Sequence, residues 1–408
     1  MIADNVFAQI HYHATQEVRD IIAAIGRTED VKFSPNNRRI AVAGFIENKF
    51  AVFAISIAAS DNSKSITLTS AVEISSDHLK GPHGLDFIDD KRILVANRYG
   101  QACIFEVPLD ITGKHELTPL LVLGSEHISG PGSVAVFKNQ EGIYEALICN
   151  NFGHCVTRHL LDLKAERVTE KSDVIFKKWL ESPDGVSFSG QMRWIAISNH
   201  DTHTVLLYES CDSLNGSSDP DGILRCAIYP HGLKFTSDDR FILVADAGSP
   251  YVHIYEKDDA EWRGVRNPVL SFRVLRDQDY FSGRYSPEEG GAKGIDINDA
   301  ANILVTTCEK LPLGFFDLTA VLESATSQGN LQKTRKQKML EVAYELTVQK
   351  QAKAKILYFE NSRSWLITAP LRWVFAILRI LAHWLPRPTS AARDRSLSVV
   401  SRRKNITD

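Results

Sequence analysis

Six residues with chemically useful side chains recur at matching places in a repeated motif: Asp30, His83, Ser133, Asp184, His231 and Lys293, spaced about 50 residues apart. Imidazoles and carboxylates gathered at one point make ligands for a divalent metal. Carboxylates favour Ca²⁺ or Mn²⁺, and histidines favour Zn²⁺ or Fe²⁺. Such an ion acts as a Lewis acid on a carbonyl and activates water. On this reading His83, Asp184 and His231 ligate the metal, and Asp30 or His200 serves as base. Lys293 or Arg98 then holds an anionic group of a small molecule undergoing hydrolysis or elimination.

Residues so far apart meet only if the fold brings the repeats into a ring. Six segments align by eye: Glu29–Phe45, Pro82–Gly100, Pro131–Gly153, Pro183–Asp201, Tyr229–Tyr255 and Ala292–Lys310. The fifth, YPHGLKFTSDDRFILVADAGSPYVHIY, shows the grammar. A Pro-His-Gly turn leads into a short strand, a polar turn, a nearly all-apolar strand, an Asp-rich loop and an alternating third strand. The rest of each unit leaves room for a polar fourth strand, such as Ile66–Ile74. Four strands in about 50 residues, six times over, predict an all-β, six-bladed β-propeller over residues 1–330. A β-sandwich and a seven-bladed propeller are the rival folds. Closure of the ring needs one blade completed by strands from both ends of the chain, and Phe7–His13 and Ile356–Glu360 are the candidate closing strands.

In a propeller the loop entering each innermost strand and the loop joining strands two and three open on one face. The first set gives the ring above, with His83 facing His231 and Asp30 facing Asp184. Lys293 brings a positive charge that either partly replaces a metal or pairs with a carboxylate. The second set adds Asn97, Arg98, Asn151, Asn199 and Asp246 as substrate-binding residues, with Tyr99, Asn150, His154, His200, His203, Glu309 and Lys310 beside them. A purely structural role is the competing reading, since Pro-His-Gly and Pro-Asp-Gly are good turn formers and Asn or Asp side chains cap loops. Cys149 and Cys155 are expected to pack. No GxSxG, P-loop or dinucleotide fingerprint is present in the sequence.

Composition is ordinary for a globular protein, with 44% hydrophobic and 24% charged residues. The net charge of −3 hides an asymmetry. From Asn330 onward 16 Lys and Arg stand against 5 Asp and Glu, about +11, leaving about −14 for residues 1–329. An acidic body argues against nucleic acid as a partner. The basic end points to an anionic membrane surface. Residues 331–386 are expected to form a basic, amphipathic helical extension and 387–408 a disordered tail. Within 364–386, Arg372, Arg379 and His383 share one helical face while Trp373, Phe375, Ile377, Ile380 and Trp384 cover most of the rest. Lying in the headgroup layer, docking on the propeller and spanning the membrane all remain open for this segment. The start shows no signal peptide, and six scattered cysteines without a CxxC pair suit a reducing, cytoplasmic setting, peripheral to a membrane.

The repeats PHGLKFTSDDRFILVADAG and PDGVSFSGQMRWIAISNHD resemble the six-bladed propellers of the gluconolactonase/regucalcin-like superfamily and NHL-repeat proteins. The likeness runs from about Glu29 to Leu318. It implies a lactonase- or esterase-like hydrolase, with a divalent metal at the channel mouth held from the Pro-Asn-Gly and Pro-Asp-Gly turns. The matching positions here are His83, Asp184 and His231, with Glu29 or Asp30 at the first-blade acidic position. Histidine in place of asparagine points towards a softer metal, as in the peptidylglycine lyase branch, where histidines hold zinc. The rival to an enzyme is a non-catalytic propeller whose polar face binds a ligand or protein.

Overall fold

The computed structural model describes residues 8–60, 63–110, 112–124, 126–139, 142–163, 167–284, 286, 288–327 and 341–354. The chain divides into two compact units, 1–345 and 346–408. The first unit holds a six-bladed β-propeller. Its innermost strands are Thr28–Phe33, Pro82–Phe87, Pro131–Lys138, Pro183–Phe188, Pro230–Phe235 and Ile295–Asn298, and they define blades one to six. Each pairs antiparallel with an apolar second strand, such as Phe241–Asp246 in blade five, which is buried throughout. In blade one the fourth strand is Ser63–Ser75, enclosing the expected Ile66–Ile74.

The ring closes through the N-terminal segment. Gln9–Ile10 pairs antiparallel with Leu311–Asp317 and completes blade six. The Phe7–His13 segment therefore supplies the closing strand, and Ile356–Glu360 lies outside the described residues. After the closing strand comes a helix, Gln16–Ala24, that the sequence reading did not anticipate. Thr15 caps it by accepting a hydrogen bond from the Val18 amide. Its Val18, Ile21 and Ile22, with the capping Ile25, fill the gap between blades six and one. Every seam between neighbouring blades has such an apolar cluster, so the core is a ring of six wedges around the axis.

The axis is crowded, and this explains the glycine in four of the six turns, Gly84, Gly185, Gly232 and Gly294. A Cβ on Gly84 would lie 2.3 Å from the Gly132 carbonyl oxygen, and one on Gly185 2.1 Å from that of His231. At these four positions adjoining inner strands approach too closely for a side chain. Five of the six inner strands also slip register just after their first residue, as between Pro82 and Gly84 or Pro183 and Val186. These bulges turn the second residue of the strand into the channel.

Of the basic extension expected over 331–386, residues 341–354 are described and are helical. Tyr344 on this helix is buried and its hydroxyl donates to the His203 carbonyl oxygen at 3.1 Å. Glu345 pairs with Arg225. Among the described residues no helix is long and apolar enough to cross a membrane. The segments 364–386 and 387–408, with the membrane contact expected of the former, lie outside the described residues. Of the six cysteines all are unpaired, and only Cys211 is exposed.

Candidate functional site

The bulges fix which residues form the inner ring. Aligning the apolar residue that follows, Val31 with Leu85, Val186 and Leu233, puts Glu29, His83, Gly132, Asp184, His231 and Lys293 at equivalent positions. Two anchors therefore move by one residue. Asp30 does not face Asp184 across the axis; it occupies the glycine position of its turn. Its carboxylate accepts from the Val31 amide at 2.9 Å, the Leu85 amide at 3.1 Å and Lys32 Nζ at 3.0 Å, binding blade one to blade two. Glu29 takes the place expected of Asp30. Likewise Gly132, not Ser133, faces the channel in blade three, and the Asp184 carboxylate leans into the space left by the missing side chain.

His83 and His231 meet as expected, their rings stacked at 5.2 Å between centroids and 17° apart. His231 Nε2 lies 2.9 Å from Asp184 Oδ2 and 3.5 Å from Glu29 Oε2. His83 Nε2 lies 3.6 Å from the same Glu29 oxygen and 2.6 Å from Arg98 Nη2. Glu29 and Asp184 are fully buried. Burial opposes the charge on Glu29, but Lys293 and His83 outweigh it and hold the carboxyl well below its ordinary range. Asp184 is likewise held down against burial by His83, His231 and Arg98. Burial, then Arg98, pushes His83 well below the ordinary imidazole value. His231 is lifted to about 9, because Asp184 overcomes the burial penalty.

The second ring needs a finer division than its residue types suggest. In blades two to five the last residue of the second strand points away from the channel and clamps the loop entering its own blade. Asn97 Oδ1 accepts from the Lys80 amide, Asn150 Oδ1 from Ser129, Asn199 Oδ1 from Glu181, and the two Asp246 oxygens from Ile228 and Tyr229. Asn97, Asn199 and Asp246 are completely buried in this task, which does not bring them to a substrate. The physical reason is the strand end, where the side chain faces two unpaired loop amides that need an acceptor. The following residue is the one that turns inward. Arg98 Nη2 meets Asp184 Oδ1 at 2.6 Å, and His200 Nε2 lies 3.2 Å from Asp184 Oδ2. Asn151 occupies the equivalent position in blade three, half-buried. His154 stands outside the ring, its Nδ1 accepting from the Ser182 amide. His203 engages the Ile228 carbonyl oxygen.

The two buried carboxylates each divide their oxygens in the same way. Glu29 Oε1 takes Lys293 Nζ at 2.9 Å and Arg27 Nε, while Asp184 Oδ1 takes Arg98. Glu29 Oε2, Asp184 Oδ2 and His200 Nε2 are buried and have no partner in hydrogen-bond geometry. These orphaned atoms gather around His231 Nε2, in two overlapping clusters: Glu29, His83 and His231, and Asp184, His200 and His231. Buried polar atoms left unpaired are costly, so a cluster of them calls for a ligand. The mixed carboxylate and imidazole donors fit a divalent ion of the zinc or manganese kind. Arg27, Arg98 and Lys293 then act as outer partners that keep the donor oxygens aimed.

One further residue was not foreseen. Glu289, on the long connection between blades five and six, reaches Lys293 Nζ at 2.5 Å and Arg27 Nη2 at 2.9 Å. The amides of Gly290 and Gly291 anchor this loop to the Ala247 carbonyl oxygen. The signal available for it was the interval before Lys293, longer than any other in the repeat.

No protein-family model matches the chain, and no curated protein matches it. Solved structures resembling it include a candidate 6-phosphogluconolactonase from Bacteroides uniformis, at 10% identity and TM-score 0.43, covering 68% of this chain and 77% of that one. Another is a candidate 6-phosphogluconolactonase from Bacteroides fragilis, at 13% identity and TM-score 0.42, covering 69% and 76%. At this degree of likeness neither bears on the chemistry, which rests on the geometry of the ring itself.

Proposed function

We propose that the channel mouth is a metal-binding site that hydrolyses an ester or lactone of a small molecule. The observation that carries this reading is the partition of oxygens: cations hold one oxygen of Glu29 and of Asp184, and the other oxygens, turned from the cations, converge with the imidazoles of His231 and His200. Glu29 Oε2, Asp184 Oδ2 and His231 Nε2 are the ligand atoms, and His83, engaged by Arg98, walls the site and stacks on His231. When bound, the ion polarises the carbonyl and lowers the pKa of water. His200, whose Nε2 is buried and unpartnered beside Asp184, is placed to take a proton from attacking water. Lys293 and Arg98 serve as positioning residues through their carboxylates. Asp30 has no part in this arrangement, since all its contacts run to blades one and two.

A second reading has one observation in its favour. Arg27, Arg98, Lys293 and protonated His231 carry four positive charges against three on Glu29, Asp184 and Glu289, so the carboxylates are already neutralised without an ion, which suits a non-catalytic binding platform. Elemental analysis of protein purified without chelator separates the two, followed by hydrolysis of a lactone and aryl-ester panel before and after chelation. Stoichiometric metal and activity restored by Zn²⁺ or Mn²⁺ are expected. Protein free of metal, with a melting temperature unmoved by Zn²⁺, Mn²⁺ or Ca²⁺, would leave only the platform.

A further inference from the structure

The rim around this mouth is divided into an apolar and a polar half. Two residues beyond the end of each second strand stand Ile46, Tyr99 and Phe152 in blades one to three, and Asp201, Gly248 and Lys310 in blades four to six. Ile46, Tyr99 and Phe152 are 46%, 68% and 55% exposed. The fold does not require apolar residues there, because half the blades place a charge or glycine at the same point. Three neighbouring blades thus expose large apolar side chains at a mouth that lacks any structural need for them.

The apolar half is continuous with the site. Tyr99 packs on Phe45 at 5.7 Å between centroids, and Phe45 meets the His83 ring edge to face at 5.8 Å. Phe152 lies 5.8 Å from the Arg98 guanidinium, which in turn holds Asp184. Both exposed rings rest on a glycine that precedes a proline. A Cβ on Gly81 would come within 3.1 Å of both Phe45 and Tyr99, and one on Gly130 within 2.3 Å of Phe152. Both glycines have positive φ, so the loops entering blades two and three are built to leave these rings a flat seat. An aromatic stair therefore descends from the surface to a ring histidine.

We infer that this arc binds the apolar body of the substrate, which is an amphiphile: an ester or lactone head placed in the ring, with an alkyl or aryl group lying over Phe45, Tyr99 and Phe152. The inference rests on the mouth being a small-molecule site and adds the class of molecule. Its test uses non-hydrolysable probes, so that it is independent of catalysis and of any metal: δ-valerolactam and its 6-pentyl derivative, titrated calorimetrically against the full chain. Burial of about half the added methylene surface gives the pentyl compound tenfold or more the affinity of the parent, at roughly twofold per carbon. The exposed pair Tyr99→Ser/Phe152→Ser, confirmed folded by circular dichroism, is expected to shrink that advantage to about threefold or less. Equal affinities in the wild type, no measurable binding of either lactam, or an advantage intact in the double variant would each overturn the inference. So would sedimentation showing a dimer that the same two substitutions dissolve, since the arc would then be covered by a second copy. Hydrolysis without any chain-length preference rejects the amphiphile and keeps the hydrolase; a chain-length preference without hydrolysis does the reverse.

Discussion

Gly132→Ala tests the site from a residue that has no functional group. Gly132 is the one ring position without a side chain, and its φ is not in the left-handed region, so alanine suits the backbone. The added Cβ would sit 2.3 Å from Asp184 Oδ1 and 3.3 Å from its Cγ, whereas ordinary contact starts at 3.4 Å. The carboxylate must retreat by about 1 Å, far beyond what the 2.6 Å bond to Arg98 and the 2.9 Å approach to His231 tolerate. Overpacking of this kind costs about 1–3 kcal/mol of stability. Misaiming a carboxylate ligand through its surroundings costs about 10–100-fold in metal affinity. Competition titration of Zn²⁺ and Mn²⁺ against a chromophoric chelator measures the second effect, and a thermal melt the first. Gly124→Ala is the matched control, its Cβ meeting nothing nearer than Gln101 Nε2 at 3.5 Å. Wild-type metal affinity in folded Gly132→Ala would refute the role given to Asp184. Should Gly132→Ala fail to fold, Asp184→Asn keeps the shape and reports on the same ligand atom.

Asn199→Ala addresses the division between clamp and site. It removes the acceptor for the Glu181 amide and the donor to the Trp179 carbonyl oxygen. A loss of about 2 kcal/mol in urea denaturation, with metal affinity unchanged, is expected; an altered affinity at unaltered stability would return Asn199 to the site. His159 governs an acid-sensitive contribution to stability. Burial, with a smaller push from His127, lowers it from 6.5 to about 4, so the native chain refuses a proton that the unfolded chain accepts. Its contribution is complete above pH 6.5 and is lost as pH falls towards 4, the loss reaching about 2 kcal/mol at pH 5. His159→Gln should therefore flatten the difference in stability between pH 7.5 and pH 5, and an unchanged slope would contradict the burial argument.

The blades were legible because each repeat carries an unbroken apolar second strand, such as Phe241–Asp246, between turn residues that cannot belong to a strand. The ring was legible to within one residue. In blades two, four and five the Pro-x-Gly turn marks the inward position directly. Blade one reads Thr-Glu-Asp and blade three Pro-Gly-Ser, and matching the functional side chain there instead of the next apolar residue selects Asp30 and Ser133 in place of Glu29 and Gly132. The N-terminal helix carries a readable signal in Thr15 followed by Val18, Ile21, Ile22 and Ile25, a helical stripe just beyond the Phe7–His13 closing segment.

What no residue pattern could show is the direction of side chains at adjoining polar positions. Asn97 and Arg98, or Asn199 and His200, look equally suited to a binding face. The final ladder pair of the strand, Pro82 with Asn97 and Pro183 with Asn199, aims the first of each pair at loop amides and the second at the axis. The same limit applies within a single carboxylate. Glu29 and Asp184 are visible in the sequence as acids, but their chemistry depends on which oxygen the cations leave free. That is settled by three residues from three different strands and loops, Arg27, Arg98 and Lys293, each bonded to the oxygen on the far side from His231. An arrangement that merely neutralised charge would let the cations reach either oxygen. The His231 imidazole reaches Asp184 Oδ2 at 2.9 Å but stands 3.5 Å from Glu29 Oε2, so the inner oxygens share one imperfect partner; buried oxygens so poorly paired are unfavourable unless something else binds there, and this asymmetry is the strongest physical reason to regard the propeller's mouth as a working site.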